Sequence, residues 1–256
     1  MAIKEIALAA LAALFADYDP VATEKLLTPD YIQHNPAVPT GRAAIIGFLP
    51  GLKESGITVK THRLIAEGDI VVAHSSYSNA QAAGGENLVV FDVFRIENGK
   101  IAEHWDNLTA KTPPNPSGHT QTDGPTEITD LDKTADNKKL VADFIDAILV
   151  NGKFDMLGAF IDGDNYTQHN SDIADGLDGL GVALEAMAAQ GITVKYNKVH
   201  KVVAEGNFVL TMSEGTFGNK PTAFYDLFRV DGGKIVEHWD ILSEIPAESA
   251  NDNGKF

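Results

Sequence analysis

The chain contains itself twice. Tyr31-Ile32-Gln33-His34-Asn35 returns as Tyr166-Thr167-Gln168-His169-Asn170, an offset of 135 residues from Tyr31 to Tyr166. "GITVK" at 56–60 returns at 191–195 with the same offset, and "HRLIAEGD" (62–69) returns as "HKVVAEGN" (200–207). "FDVFRIENGKIAEHWD" (91–106) returns as "FYDLFRVDGGKIVEHWD" (224–240), with Asp92 matched to Asp226. The only two tryptophans, Trp105 and Trp239, sit in the two copies of "EHWD". A period this long exceeds the roughly 20–50 residues of solenoid repeats. It marks a tandem duplication of a whole domain, and 256 residues suffice for two.

Between the copies, 111–137 is rich in Pro, Gly, Thr and Asp and almost lacks large apolar side chains, which is linker composition. The reading is a first domain over 1–110, a linker over 111–134, a second domain over 135–246 and a tail over 247–256. Each copy places helical periodicity first and strands after it. In copy one, helices are predicted over 3–17, 20–30 and 41–54. Strands are predicted over 57–67 and 70–78 about "EGD", then 88–97 and 100–109 about "ENGK". Helices followed by an antiparallel run indicate an α+β domain with helices on one face of a curved sheet. The apolar stretch 6–16 superficially resembles a signal-peptide core. Its counterpart at 138–154 lies deep in the chain, so both are read as helices of the fold.

A formal net charge of −16 argues against nucleic acid or an anionic membrane as partner, because like charges repel. Zero cysteines exclude disulfides, thiol nucleophiles and thiolate metal sites, and fit a cytoplasmic protein. No P-loop, dinucleotide fingerprint or nucleophile elbow is present. No histidine pair has H-x-x-E-H or similar helical ligand spacing, so no metal site is expected.

The last hairpin carries most of the candidate chemistry. A three-residue turn with a bulge at Gly99 pairs Ile96 with Lys100 and sets Asp92 across from His104. Period-two alternation then puts Asp92, Phe94, Ala102, His104 and Asp106 on one face, with Ile101, Glu103, Trp105, Val93 and Arg95 on the other. A tight Asn98-Gly99 turn is the alternative, and it sets Asp92 opposite Trp105 instead. A carboxylate beside an imidazole on an apolar face suits acid–base work, since burial and hydrogen bonding tune both groups. His34 and Asn35 are candidates for donating a proton or holding an oxyanion. His74 lies mid-strand beside Ser75 and Ser76. Against these stand structural readings: His104 as a satisfied histidine, Trp105 as packing, and Arg95 as a sheet-surface ion-pair partner.

"YIQHNP…GR", "AEGD", "FDVFR" with "GKIxEHWD", and the closing "PAESANDNGKF" resemble the SnoaL-like polyketide cyclase branch of the cystatin-like, nuclear transport factor-type cone fold. The resemblance covers nearly the whole chain, once per copy. It implies two tandem α+β cones, each a curved antiparallel sheet wrapped by helices around an apolar pocket. The family includes aldol-type cyclases, ketosteroid isomerases, dehydratases, epoxide hydrolases and binding proteins without chemistry. By resemblance, Asp106 is the base, with Asp92 or His104 in support, and Asp240, Asp226 and His238 match in copy two. His34 and His169 complete the candidate catalytic set. Tyr31, Asn35, His74, Phe94, Tyr166, Asn170 and Phe228 are the candidate substrate-binding set. The implied reaction is proton abstraction beside a carbonyl, giving an enolate that closes on a second carbonyl, with no cofactor. A non-catalytic binder of small apolar ligands is the alternative, and a scaffold or interaction protein the third reading. Copy one keeps His74, Arg42 and Pro36 where copy two has Met212, Leu177 and Ser171, which favours copy one as catalyst. The duplication further suggests that the copies pair within the chain, with Trp105 and Trp239 near the contact.

Overall fold

Helix formers precede strand formers in each copy, and the folded chain keeps that order. The computed structural model describes residues 1–256, apart from the Asp164 side chain. It divides into two units: Met1–Lys111 with Ile245–Phe256, and Thr112–Glu244.

Unit 1 opens with α1 (Ile3–Phe15) and α2 (Pro20–Leu26). The Asp19 carboxylate caps α2, accepting from the Val21 and Ala22 N–H at 2.8 and 3.1 Å. α2 is shorter than predicted: strand β1 (Leu27–Gln33) starts before Pro29, which lacks the N–H a helix interior requires. After α3 (Arg42–Ser55) come β2 (Thr58–Glu67), β3 (Ile70–Ser78), β4 (Asn87–Glu97) and β5 (Lys100–Ala110). Their order in the sheet is β1-β5-β4-β3-β2, with β1 parallel to β5 and every other pair antiparallel. Ile6, Ala7, Ala10 and Leu11 of α1 pack on Val71, Ala73, Phe94 and Ile96 of the sheet. Each large aliphatic chain buried in this way contributes roughly 1.5–3 kcal/mol.

Unit 2 repeats the plan with α4 (Thr134–Phe144) continuing into a π-helical stretch (Ile145–Val150), then α5 (Leu157–Phe160), β6 (Thr167–Gln168) and α6 (Gly176–Ala189). Strands β7 (Val194–Glu205), β8 (Phe208–Phe217), β9 (Lys220–Asp231) and β10 (Lys234–Glu244) complete a sheet of order β6-β10-β9-β8-β7. The two α+β cones stand in tandem along the chain. Among the described residues, no helix is long and apolar enough to cross a membrane.

The β4–β5 hairpin differs from both predicted registers. Asn98 and Gly99 have φ of 52° and 76° and form a two-residue turn, so Glu97 pairs with Lys100 and Ile96 with Ile101. A bulge then skips Ala102, which brings Arg95 opposite Glu103 and Asp92 opposite Asp106. The tight turn and the bulge each move the register by one, so two shifts restore the predicted face for Asp92, Phe94, His104 and Asp106. Ile101 is the exception: the bulge turns it inward to join Phe94 and Ile96 in the core. β9–β10 repeats the pattern, with Val236 skipped and Asp226 opposite Asp240.

The stretch read as a linker is part of unit 2. Asn115 donates to the Gln168 and Ile173 carbonyls at 2.6 and 3.0 Å, and the Asn207 N–H donates to Thr129 O at 2.9 Å. Polar strap residues thus satisfy backbone groups that water would otherwise have to reach. The tail does the same for unit 1: Asn251 donates to the Asn35 and Val38 carbonyls, and Asn253 to Gln33 O. Gly206 has φ of 59°, and a methyl group there would run into Thr129 O. Gly206→Ala is therefore expected to destabilise unit 2 by about 1–3 kcal/mol in denaturant melts.

Candidate functional site

In unit 1 the inner face of β4 and β5 carries three buried titratable groups. Asp92 and Asp106 face each other across the strands, and His104 reaches diagonally to Asp92, Nε2 to Oδ1, at 3.0 Å. The other ring nitrogen, Nδ1, meets Gln33 Oε1 at 3.1 Å, and that oxygen also accepts from the Asn35 N–H. Gln33 Nε2 in turn donates to the Tyr31 hydroxyl at 3.2 Å. This chain of donors fixes the amide so that its oxygen faces Nδ1, which must carry the hydrogen. Nε2 is left as the nitrogen that faces Asp92. Phe94 stacks on the imidazole at 5.0 Å and holds its plane.

Each carboxylate has one neutral donor of its own. Tyr77 gives its hydroxyl hydrogen to Asp92 Oδ2 at 2.8 Å, and Asn35 Nδ2 donates to Asp106 Oδ2 at 2.6 Å. The second oxygen of Asp106 accepts no hydrogen bond; Lys255 Nζ lies 3.6 Å from it and donates instead to the Asp106 carbonyl at 2.7 Å. Burial lowers the Lys255 pKa, with Asp106 opposing that shift. Burial, with Asp92 beside it, holds the Tyr77 phenol well above its ordinary pKa, so it serves as a donor.

Unit 2 builds the same constellation. His238 Nε2 meets Asp226 Oδ1 at 3.1 Å, His238 Nδ1 meets Gln168 Oε1 at 3.1 Å, and Asn170 donates to Asp240 Oδ2 at 2.7 Å. Gln168 reaches Tyr166 OH, and Phe228 stacks on His238 at 4.7 Å. Asp226 receives its phenol from Tyr196 on β7, at 3.2 Å to each oxygen, whereas Tyr77 stands on β3. Burial and the facing Asp226 raise the pKa of Asp240, against the lowering pull of His238 and Asn170. His238 is raised too: burial lowers it, but the hydrogen bond to Asp226 and the charge of Asp240 outweigh that. Among the described residues of unit 2, no cation matches Lys255. The strap there carries Gln121, which is occupied with Thr112.

Three of the predicted site residues lie elsewhere. Between the inward Gln33 and Asn35, His34 turns to the other face, where Nε2 meets Glu103 at 2.8 Å, Nδ1 meets Gly254 O at 2.8 Å, and the ring stacks on Trp105. His169 is placed likewise, with Glu237 at 2.8 Å, Thr120 O at 2.8 Å and Trp239 stacked at 4.5 Å. His74 is paired with Phe91, not Asp92; it stacks on the Phe91 ring and meets Arg63 at 3.2 Å, on the face away from Asp92. Arg42 reaches Glu24 near the surface. His74 and Arg42 therefore add nothing to the polar cluster of copy one. Tyr31, Asn35, Phe94, Tyr166, Asn170 and Phe228 all join the clusters.

Sequence reasoning missed Gln33 and Gln168, although both lie inside the duplicated pentapeptide. It also missed Tyr77 and Tyr196, which occupy non-equivalent positions and leave no repeat signal, and Lys255 in the tail.

The SnoaL-like domain profile matches residues 8–104 and 141–238, more than half of the chain. No curated protein matches. Similar solved structures include TsrD of Streptomyces laurentii, 26% identical over 41% of this chain and 87% of that one, with a TM-score of 0.36. A candidate polyketide cyclase of Bacillus cereus ATCC 10987 is 18% identical over 40% and 71% of the two chains, with a TM-score of 0.36. A candidate ketosteroid isomerase of Kribbella flavida is 20% identical over 44% and 82%, with a TM-score of 0.36.

Proposed function

Because the chain belongs to the SnoaL-like domain family, once in each copy, we propose that it is a cofactor-independent acid–base catalyst acting on a small carbonyl compound, of the cyclase or isomerase kind. One observation carries the reading. Each unit holds two facing carboxylates and one imidazole, with a phenol on one carboxylate and an asparagine on the other. The phenol comes from different strands in the two units, so the arrangement persists where the residue supplying it does not.

The chemistry follows from the free lone pairs. Asn170 occupies one oxygen of Asp240, leaving Oδ1 to take a proton from the carbon beside a carbonyl. The C–H electron pair moves through the new C=C bond onto the carbonyl oxygen, and an enolate results. Its carbon closes on a second carbonyl in a cyclisation, or takes the proton back from Asp240 at another carbon in an isomerisation. His238, with its Nδ1 hydrogen held by Gln168, uses Nε2 to share a proton with Asp226 beside the developing charge.

Unit 2 is the better base. Asp240 is raised above the usual carboxylate range and so binds a proton more strongly when ionised, whereas Asp106 has a lysine beside it. The same lysine favours a second reading for unit 1, a binding site for a small ligand without turnover.

The test is exchange of α-hydrogens for deuterium, followed by NMR on a panel of ketones and β-dicarbonyl compounds. Exchange above background is expected, rising with pH through an ionisation above the ordinary carboxylate value, because only ionised Asp240 accepts a proton. Background rates across the whole panel, with ligands nevertheless bound, would reduce both units to binding sites.

A further inference from the structure

The strap of unit 2 brings together a group of side chains that the acid–base cluster does not use. His119 and Asp123 stand four residues apart on the non-helical strap, and His169 directly follows β6. One ligand atom from each falls within 4.8 Å of the others. His169 Nδ1 is 2.8 Å from Asp123 Oδ1, and His119 Nδ1 is 3.6 Å from Asp123 Oδ2. Ligand atoms about 2.0–2.1 Å from a tetrahedral zinc ion are separated by roughly 3.3 Å, so small side-chain movements suffice.

The far side of each imidazole makes the same point. His119 Nε2 faces Asp175 Oδ2 at 3.2 Å, and His169 Nε2 faces Glu237 Oε1 at 2.8 Å. Glu237 is itself held by Arg229 Nε at 2.6 Å. Two histidines therefore turn Nδ1 toward one carboxylate while a separate carboxylate anchors each Nε2. This carboxylate–histidine arrangement orients metal ligands and raises their basicity. His169 is fully buried, and Asp123 and His119 are partly exposed, so an ion can enter from the strap side.

Unit 1 supplies an internal comparison. His34 repeats the surroundings of His169, with Glu103 on Nε2, a strap carbonyl on Nδ1 and a stacked tryptophan. The tail that crosses it carries Asn253 one residue before that carbonyl, where the strap of unit 2 carries His119. Holding a strap by its carbonyl thus needs no second imidazole, and His119 is an addition to that anchor.

We propose that His119, Asp123 and His169 form a binding site for one borderline divalent transition ion, zinc above all, that staples the strap onto unit 2. Without metal, His169 Nδ1–H is shared between Thr120 O and Asp123; on binding, that proton leaves to solvent and the lone pair takes the ion. Water or the Thr120 carbonyl fills the fourth position.

Full-length protein is stripped with a chelator, dialysed, and titrated with Zn2+ by calorimetry, then with Co2+ by visible absorption. One equivalent per chain is expected, together with proton release and a higher melting temperature with zinc. His119→Ala and Asp123→Asn, both on the partly exposed strap, are expected to weaken binding at least tenfold while the stripped proteins still melt cooperatively. His238→Gln is expected to leave the titration unchanged. No binding by the stripped wild type would overturn the proposal. So would binding that survives His119→Ala and Asp123→Asn, or binding lost in His238→Gln, which would place the ion at Asp226, His238 and Asp240 instead.

Discussion

Asp240→Asn is expected to lower α-hydrogen exchange by about 10²–10⁴-fold, the usual contribution of a positioned general base. The amide keeps the shape and can still accept from Asn170, but has no carboxylate lone pair to offer a C–H. Asp106→Asn is expected to cost far less, because Lys255 already competes for the Asp106 charge. Equal losses would make the two units equivalent catalysts and remove the role given to the lysine. The same substitution has an opposite expected effect on stability. Burial and the facing Asp226 raise the pKa of Asp240, so the folded state holds this proton more tightly than the unfolded chain does. That contribution is present below the unfolded pKa and is lost as pH rises through the folded one. At neutral pH the ionised side chain is a liability. Asp240→Asn should therefore melt a few degrees higher than the wild type at pH 7, and lose the advantage in acid.

The second large effect lies on the other face of the strand. Glu237→Ala is expected to destabilise unit 2 by about 3–5 kcal/mol, the scale for removing one partner of a buried ionic network. Glu237 is 3% exposed and binds Arg229 and His169 at 2.6 and 2.8 Å. Its removal strands an imidazole that is wholly shielded from water. Glu103→Ala in unit 1 should cost less, since Arg95 there also holds Glu97 and the Glu103 side chain is 17% exposed. Denaturant melts in the presence of chelator read this difference without any contribution from metal.

Much of this was legible in the residues, and the reasons are local. The repeat announced two domains, and period-two alternation put His104 and Asp106 on one face with Trp105 on the other. The register was not legible, because skipping Ala102 or Val236 is a backbone event that "GKIAEH" and "GKIVEH" do not signal. His34 and His169 looked like site residues because they stand beside Asn35 and Asn170. Alternation along the extended chain sends them to the opposite face, and the glutamines before them carry the inward contact instead. Tyr77 and Tyr196 reach equivalent carboxylates from different strands, so a search for repeated residues passes over both. The straps were read as linker and tail because their composition is polar. That composition is what crossing a row of backbone carbonyls requires.

In chain terms unit 2 is an insertion within unit 1, which is assembled from Met1–Lys111 and Ile245–Phe256. This sets an order of completion during synthesis. Unit 2 is contiguous, so every residue it needs is available once Glu244 has left the ribosome. Unit 1 is made first, yet it waits through the synthesis of the whole second copy with Asn35 and Val38 uncrossed, and gains Asn251, Asn253 and Lys255 only afterwards. The older half of the nascent chain is thus the last to be finished, and the window in which it stays unstrapped is as long as the translation of its twin.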